Sequence, residues 1–326
     1  MSNFSKERRA ALLAGLCALS AVPSVRAAQN VWPTKPLRII VGFPAGSAPD
    51  MQARLIADPL ARILGQPVVI ENKPGASGNI GADMTAKARD GHTIGVIGNG
   101  PLTSSQFLYD RLPYNPRRDL APVGTIGLAP LVWVASAQSA SPREFIQWAR
   151  ERQDRTTYGS IGSGSGSHLG MEVVNDALGL KARHIPYNGG PPVVNALLGS
   201  QVDMALLPGS SVLPLIRQGK LYAIGVTSAE RSPSAPELLS MRELGAPLVN
   251  VEVWNAIMAP ATLPPAHQEQ LAAALAKVLG TEVVMQKLSE FGWQVGSAKP
   301  QELAQRIDSD TVLYGELIQR LGVKLD

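Results

Sequence analysis

TYGSIGSGSGSHLGMEVVNDAL, residues 157–178, is the most informative stretch of the chain. Its first four residues predict a short strand, and the apolar spacing over 169–178 predicts a helix. The loop between them, 160–168, holds four serines and three glycines and has little side-chain bulk. Such a loop suits a carboxylate or a phosphate at the positive end of a helix, because it presents backbone N–H groups and hydroxyls. The alternatives are a flexible linker, or a helix entry in which Ser167 is only an N-cap.

Short apolar runs and longer helical patterns alternate along the rest of the chain, which predicts an α/β fold built on mostly parallel sheets. The predicted strands are 37–43, 68–71, 93–97, 131–135, 157–160, 182–186, 204–207, 222–227 and 251–258. The predicted helices are 51–64, 79–88, 142–153, 169–178, 192–198, 210–218, 264–279, 282–291 and 300–321. Pro59 lies inside the first helix, which we therefore expect to be kinked or to begin late. Trp254 is expected in the core rather than on a cleft wall.

The length of the chain allows two domains. Because long C-terminal helices usually pack back on the first domain, we expect residues 28–129 and 251–326 to form one discontinuous domain. Residues 130–250 then form the other. Two α/β domains that face each other leave a cleft, and ligands bind at the carboxyl ends of the strands.

Residues 1–27 have the pattern of a secretory signal peptide. Basic residues precede an apolar run at 10–21, and VRA at 25–27 is a small-residue cleavage signal, so the mature chain is expected to begin at Ala28. This segment carries four basic residues and one acidic residue, and its removal lowers the net charge from +4 to about +1. The charge therefore gives no support to nucleic-acid binding. The only cysteine, Cys17, is removed too, which suits an oxidising compartment, and we expect a periplasmic location.

Two candidate ligand loops lie near the start of the mature chain. In 42–50, backbone N–H groups near Ser47 and Ala48 are placed to meet an anion at a helix start. Asp50 is expected at or near the N-cap, where it accepts from the helix's own free donors rather than contacting the ligand. The second loop, 73–81, also enters a helix, and its serine and asparagine are either caps or ligand contacts.

Two further candidate loops follow later strands. In 98–101, Asn99 either hydrogen-bonds a ligand or supplies a left-handed turn position. In 186–192, Tyr187 offers a ring and a hydroxyl to a small molecule. We call the loop 160–168 the Gly/Ser loop. His168, at its end, is a ligand contact, an acid/base group or, as we favour, a structural histidine at a helix start.

The sequence lacks the signatures of a catalytic site. The four histidines have no metal-ligand spacing, and the mature chain has no cysteine. The loop 160–168 contains neither G-x-S-x-G nor G-x-G-x-x-G, and the chain has no Walker P-loop. We therefore expect no catalytic residues, no metal and no cofactor.

The order of motifs resembles the periplasmic substrate-binding proteins of tripartite tricarboxylate transporters, the Bug family. Each motif is weak alone, but together they cover nearly the whole mature chain. The matching stretches are 32–38, 43–50, 64–75, 78–82, 90–93, 112–116, 185–189, 199–203, 219–221 and 226–233.

The resemblance implies a type II-like periplasmic binding-protein fold, with two α/β domains around a ligand cleft that closes over one small carboxylated solute. It also implies a membrane permease as the partner. The positions that it assigns to ligand binding are Phe43, Ala45, Gly46, Ser47, Ala48, Asn79, Asn99, Ser163, Gly164, Ser165, Ser167, His168, Tyr187, Asn188 and Gly189.

The chain departs from the family pattern at two of these positions. Ser47 follows Gly46 where the family has two adjacent glycines, and Asn188 stands where the family carries Lys or Arg. The missing cation leaves a monocarboxylate, an aromatic acid and a neutral solute open beside di- and tricarboxylates.

We expect a monomeric, non-enzymatic receptor that delivers a small carboxylate to the permease and binds no nucleic acid. The alternatives are a sensor of the same fold that feeds a signalling partner, and a secreted α/β hydrolase that uses His168 and a loop serine.

Overall fold

The structure, a computed structural model, describes residues 32–323. The predicted signal peptide, 1–27, and the predicted mature start at Ala28 lie outside the described residues. The strands are β1 (Leu37–Val41), β2 (Val68–Asn72), β3 (Thr93–Gly98), β4 (Leu120–Ser136), β5 (Thr157–Ser160), β6 (Arg183–Pro186), β7 (Met204–Pro208), β8 (Leu221–Val226), β9 (Glu252–Pro260) and β10 (Gln294–Val295).

The helices follow the predicted order, with three additional short ones between β3 and β4. They are α1 (Ala48–Leu64), α2 (Asn79–Ala86), α3 (Asn99–Leu102), α4 (Ser105–Leu108), α5 (Pro116–Asp119), α6 (Phe145–Arg152), α7 (Gly166–Leu178), α8 (Gly190–Leu198), α9 (Gly209–Arg217), α10 (Pro265–Leu279), α11 (Glu282–Glu290) and α12 (Pro300–Leu321). None of the helices within residues 32–323 is long and apolar enough to cross a membrane.

Helix α1 corrects one expectation. It begins at Ala48, before the predicted start, and continues through Pro59 to Leu64, so the expected late start is wrong. The earlier Pro49 is tolerated because the first N–H groups of a helix have no acceptor within the helix.

A mixed sheet runs through the molecule in the order β2-β1-β3-β9-β4-β7-β5-β6, and β8 and β10 also pair with β4. Pairing is parallel within β2-β1-β3 and within β7-β5-β6. Strands β4 and β9 run antiparallel to all their neighbours. The α/β class is therefore confirmed, but the expectation of mostly parallel sheets is wrong at the centre, where these long strands return through the sheet.

Strand β4 is much longer than the predicted strand at 131–135. Its first part contains prolines and glycines that are typical of a loop, and the register shifts between Pro122 and Gly124. A Cβ on Gly124 would lie 2.6 Å from the Cα of Ala298, so glycine is needed there for the C-terminal segment to pack against the strand. This segment is a strand because the backbone of the C-terminal segment packs closely against it, and the strand propensities of its residues do not include that contact.

Strand β4 belongs to both halves of the sheet. Residues 120–130 pair with β9, and residues 131–136 pair with β7 and β8. We call β1, β2, β3 and β9 the first half, and β5, β6, β7 and β8 the second half. Helix α10 packs on α1 and helix α12 packs on β4. This packing agrees with the proposed division into 28–129 plus 251–326 and 130–250, which stays a prediction.

The core contains the largest side chains of the central strands. Trp133 is fully buried and meets Phe145 edge to face, with ring centroids 5.9 Å apart. Trp254 is also buried, as predicted, and its indole N–H donates to the carboxylate of Asp310 at 2.7 Å. The core thus fixes the two central strands, whose neighbouring loops form the site.

Candidate ligand-binding site

A cavity lies between the two halves of the sheet, and we call it the inner cavity. The first half contributes Phe43, Ser47, Ala48 and Asn99, among others. The second half contributes Ile161, Ser165, Gly166, Gly190 and Ser211. None of the described residues that line the inner cavity is Asp, Glu, Lys, Arg or His. Hydrogen bonding to a solute here must therefore come from neutral side chains and from the backbone.

Helix starts surround the inner cavity. Helix α1 begins at Ala48, helix α7 at Gly166 and helix α8 at Gly190, and each of these residues lies on the cavity wall. The first N–H groups of a helix have no acceptor within it, and the helix dipole adds partial positive charge at this end. Converging helix starts therefore favour an anion even though no cationic side chain is present.

Ser47 provides an unpartnered hydroxyl on the wall of the inner cavity. It is the N-cap of α1, yet its side chain makes no capping hydrogen bond. The residue is 2% exposed, and its Oγ has no hydrogen-bond partner among the described residues. Because a buried hydroxyl without a partner is costly, this group is well placed to bond a solute.

Asp50 lies near the N-cap of α1, in the first turn, but its carboxylate holds the loop before the helix instead of accepting from the helix's own free N–H groups, which corrects that part of the expectation. Its buried carboxylate accepts the Gly46 N–H at 2.9 Å, the Arg54 Nε–H at 3.0 Å and the Asn72 amide at 2.9 Å. Burial alone would raise the pKa of Asp50, but these hydrogen bonds outweigh it and hold the pKa below its ordinary value. The charge is thus used to shape the loop.

Ser165 and Ser167 of the Gly/Ser loop turn their hydroxyls into the protein. Ser165, and not Ser167, is the N-cap of α7; its Oγ accepts from the His168 N–H and donates to the Gly162 carbonyl at 2.6 Å. The Ser167 hydroxyl donates to the Leu206 carbonyl at 2.6 Å. The hydroxyl of Ser167 is therefore used within the protein, and its backbone N–H, in the first turn of α7, is the group that can bond a ligand.

His168 anchors the Gly/Ser loop. Its Nδ1 accepts the Gly164 N–H at 3.0 Å, and its ring stacks on His184 with centroids 3.9 Å apart. Burial lowers the pKa of His168 to about 3, with a smaller contribution from His184, and burial lowers the pKa of His184 to about 4. Both rings are therefore neutral near pH 7. The favoured interpretation, a structural histidine at a helix start, agrees with this geometry.

Two hydrogen bonds join the Gly/Ser loop to residues of the first half across the cleft. The Ser77 hydroxyl donates to the Ser163 carbonyl at 2.6 Å, and the Ser104 hydroxyl donates to the Gly164 carbonyl at 2.9 Å. Gly162 has φ +140°, and a Cβ there would lie 2.3 Å from the Ser77 Oγ. These contacts hold the two sides of the cleft together, and we call the Ser77–Ser163 bond the clasp.

The two predicted asparagines have different places. Asn79 is buried away from the inner cavity, where its amide donates to the Ala76 carbonyl and accepts from the Tyr114 hydroxyl. Asn99 lies on the cavity wall, and its amide donates to the Tyr314 hydroxyl at 3.2 Å. The side chain of Asn79 is thus used within the protein.

A second pocket, the outer pocket, adjoins the inner cavity at Ser77, which lines both. Ser163, Tyr187 and Asn188 line the outer pocket together with Tyr109. None of the described residues on its wall is charged.

The structure therefore divides the predicted site residues into three sets. Phe43, Ser47, Ala48, Asn99 and Ser165 line the inner cavity, and Ser163, Tyr187 and Asn188 line the outer pocket. Ala45, Gly46, Asn79, Gly164, Ser167, His168 and Gly189 line neither. Gly189 instead touches the loop before α1, since a Cβ there would lie 2.6 Å from Pro44 Cδ.

Sequence reasoning missed several residues of the wall. Leu131, Ile161, Val253, Asn255 and Trp293 line the inner cavity, but they lie in or beside elements that the apolar pattern assigns to the core. A polar Asn255 inside an otherwise apolar strand was the one available signal. Within residues 32–323 no group of three or more His, Cys, Asp or Glu residues is placed to hold a metal.

Comparison with known proteins agrees with this geometry. Residues 52–323 match the model of the tripartite tricarboxylate transporter family receptor, TctC. The chain belongs to this receptor family. A UPF0065 protein in the tcbD-tcbE intergenic region of Pseudomonas sp. strain P51 is 33% identical over 98% of this chain and 95% of its own length. BugT of Bordetella pertussis is 32% identical over 91% of this chain and 92% of its own length.

Solved structures of the same kind superpose on nearly the whole described chain. An R. palustris protein solved with adipate has a TM-score of 0.87 at 29% identity, covering 90% of this chain and 100% of its own. The periplasmic binding protein BugD has a TM-score of 0.85 at 30% identity with the same coverage. MatC from Rhodopseudomonas palustris with bound malate has a TM-score of 0.83 at 29% identity, covering 88% and 100%. The predicted periplasmic binding-protein fold and the Bug-type receptor family are confirmed.

Proposed function

We propose that this TctC-family receptor captures a small carboxylate in the inner cavity and delivers it to the membrane permease of a tripartite transporter. The observation that carries the proposal is the buried, unpartnered Ser47 hydroxyl among converging helix starts in a cavity without charged side chains. Two related receptors were solved with the carboxylates adipate and malate, which supports the same ligand class here.

Hydrogen bonds from neutral donors can bind a carboxylate tightly enough without an arginine or a lysine. Each hydrogen bond from a neutral donor to a carboxylate contributes about 1.5–3 kcal/mol net, and several together give micromolar affinity or better. Closure of the clasp excludes water and strengthens each bond.

The protein acts, on this proposal, as a monomeric, non-enzymatic receptor that is exported to the periplasm by residues 1–27. The hydrolase alternative loses support because His168 uses its Nδ1 to hold Gly164, and the hydroxyls of Ser165 and Ser167 are bonded within the protein. The fourth serine of the loop, Ser160, does lie beside a base, with its hydroxyl 2.6 Å from Nε2 of His184, but Ser160 is fully buried and lines neither the inner cavity nor the outer pocket.

A thermal-shift screen of the protein without residues 1–27, against small carboxylates and their amides, tests the proposal. A ligand at a hundredfold excess over its Kd stabilises the folded state by about 2.7 kcal/mol, which raises Tm measurably. We expect a saturable shift with an acid and none with its amide. Shifts with amides as large as those with acids, or none with any acid, would contradict carboxylate capture.

A further inference from the structure

The inner cavity has two kinds of wall. Around the helix starts the wall carries hydrogen-bond donors, the Ser47 hydroxyl and the backbone N–H groups of Ala48, Gly166 and Gly190. Much of the remaining wall is apolar and consists of residues such as Leu131, Ile161, Val253 and Trp293. One side of the cavity thus suits an anionic group, and the other suits an uncharged body.

The donors at the helix starts match a single carboxylate. A carboxylate has about four lone-pair sites, and the four donors on this wall are enough to fill them. Few further backbone donors are available, because Pro49 removes one N–H from the first turn of α1 and Pro191 and Pro192 remove two from that of α8. Among the other polar side chains of the wall, the hydroxyls of Ser77 and Ser165 donate to carbonyls of the protein, and the amide of Asn99 donates to Tyr314. Ser211 and Asn255 are left as neutral donors, so a second buried carboxylate would find fewer partners than the first, and no cation, among the described residues.

The described residues of the outer pocket offer no ionic partner for a second charge. Tyr109 and Tyr187 supply rings and hydroxyls, and Asn188 supplies an amide. The pocket is lined by no cationic side chain among the described residues, so a charged end exchanges its hydrogen bonds to water for bonds to neutral donors and gains no ion pair. The rings, in contrast, gain contact area from an apolar or aromatic end.

An ammonium group is disfavoured throughout. No carboxylate lines the inner cavity or the outer pocket among the described residues. The carboxylate of Asp50, behind the loop before α1, is already bonded to Gly46, Arg54 and Asn72. The positive ends of the helices also repel a cation.

We propose that the chain selects solutes with a single carboxylate, no ammonium group and an uncharged, apolar or aromatic body. The carboxylate lies at the helix starts, and the far end of a longer solute reaches the outer pocket past Ser77. This inference rests on the proposed function and narrows its ligand class.

Matched sets of compounds test the selection by calorimetric titration. Two sets each contain a monoacid, the diacid of the same chain length, the α-amino acid and the amide: butanoate, succinate, 2-aminobutanoate and butanamide; and hexanoate, adipate, norleucine and hexanamide. The third set is aromatic and contains a monoacid, its α-amino acid and its amide: 3-phenylpropanoate, phenylalanine and 3-phenylpropanamide. The comparison is made within the set that contains the most tightly bound compound. We expect its monoacid to bind at least about tenfold more tightly than its diacid or amino acid, a difference of about 1.4 kcal/mol.

The outcomes separate the two proposals. A diacid or an amino acid that binds most tightly would overturn the single-carboxylate inference and leave the receptor function standing. Tighter binding of the amides, or no binding of any acid, would overturn carboxylate capture and the inference together.

A gain-of-charge variant tests where the far end lies. Asn188→Arg places a cation at the exposed edge of the outer pocket, and Asn195→Arg, on the exposed face of α8, adds the same charge away from it. The quantity to compare is the ratio of the affinity for adipate to the affinity for hexanoate. We expect Asn188→Arg to raise this ratio about tenfold, and Asn195→Arg to leave it unchanged. An equal ratio of adipate to hexanoate affinity in the two variants would overturn the placement of the solute's far end in the outer pocket.

Discussion

Ser77 and Ser163 face each other across the cleft, and the hydroxyl of Ser77 donates a hydrogen bond of 2.6 Å to the carbonyl of Ser163. The two residues come from opposite halves of the sheet and lie 86 positions apart in the chain. Because Ser77 also lines both the inner cavity and the outer pocket, this bond joins the two halves at the boundary between them.

Ser77→Ala should speed ligand release without unfolding the protein. Loss of one hydrogen bond of about 1 kcal/mol disfavours the closed form and weakens binding about fivefold, mainly through the dissociation rate. Stopped-flow dissociation measures this directly. Ser141→Ala is the control, because the Ser141 hydroxyl bonds only Glu144 on its own half. Equal dissociation rates in the two variants would argue against the clasp.

Ser47→Ala should separate binding from stability. The hydroxyl has no partner in the described residues, so its removal leaves the free energy of unfolding unchanged or raises it by up to about 1 kcal/mol. Affinity for the carboxylate should fall about tenfold or more, because a hydrogen bond to a charged group is lost. Calorimetric titration and urea unfolding measure the two effects. Unchanged affinity would remove Ser47 from the site.

Ser167→Ala should lower stability and keep affinity, the opposite of the result expected for Ser47→Ala. The Leu206 carbonyl loses its buried donor, and the free energy of unfolding falls by about 1–3 kcal/mol, while affinity for the carboxylate is kept. Ser165→Ala removes the N-cap of α7, costs about 1 kcal/mol of stability and also weakens binding, since it loosens the helix start at the cavity. The same measurements apply. A large loss of affinity in Ser167→Ala with full stability would show that its hydroxyl contacts the ligand.

Stability should depend on pH through the stacked pair His168 and His184. Their pKa values are lowered in the folded state, to about 3 and about 4, from an ordinary value of 6.5. Below pH 6.5 the unfolded chain therefore binds protons that the folded protein does not, and the free energy of unfolding decreases as the pH falls toward 4. The contribution is fully present above pH 7.

Urea unfolding between pH 5 and 7 measures this dependence. The slope should approach about 1.4 kcal/mol per pH unit for each histidine, and His184→Gln should remove about half of it. A flat profile in the wild type, or an unchanged slope in the variant, would contradict burial of neutral histidines beside the Gly/Ser loop.

The local pattern of the sequence predicts most of the fold. Strand β5 and helix α12 begin and end where the apolar spacing places them. The pattern fails at 120–130, because Gly124 and Gly127 are typical of loops and become strand only when the C-terminal segment packs against them. That contact joins residues far apart in the chain, and no local rule contains it.

The candidate site is predictable in part for the same reason. The loops that enter α1 and α7 are visible locally, as Gly/Ser-rich segments after strands, but both helices begin three residues before their predicted starts at 51 and 169. The direction of a side chain is not visible locally: Asn79 and Ser167 turn to partners in the protein, Tyr114 and Leu206, that only the fold supplies. Apolar wall residues such as Val253 cannot be told from core residues by sequence.

A crystal structure of the protein with the tightest-binding acid tests carboxylate capture most directly. The carboxylate should lie in the inner cavity, within hydrogen-bond distance of the Ser47 hydroxyl and of the first N–H groups of α1 and α7, with the Ser77–Ser163 clasp closed over it. An acid bound elsewhere, or bound in this cavity with its carboxylate against Leu131, Val253 or Trp293 and its apolar end at the helix starts, would contradict carboxylate capture at the helix starts.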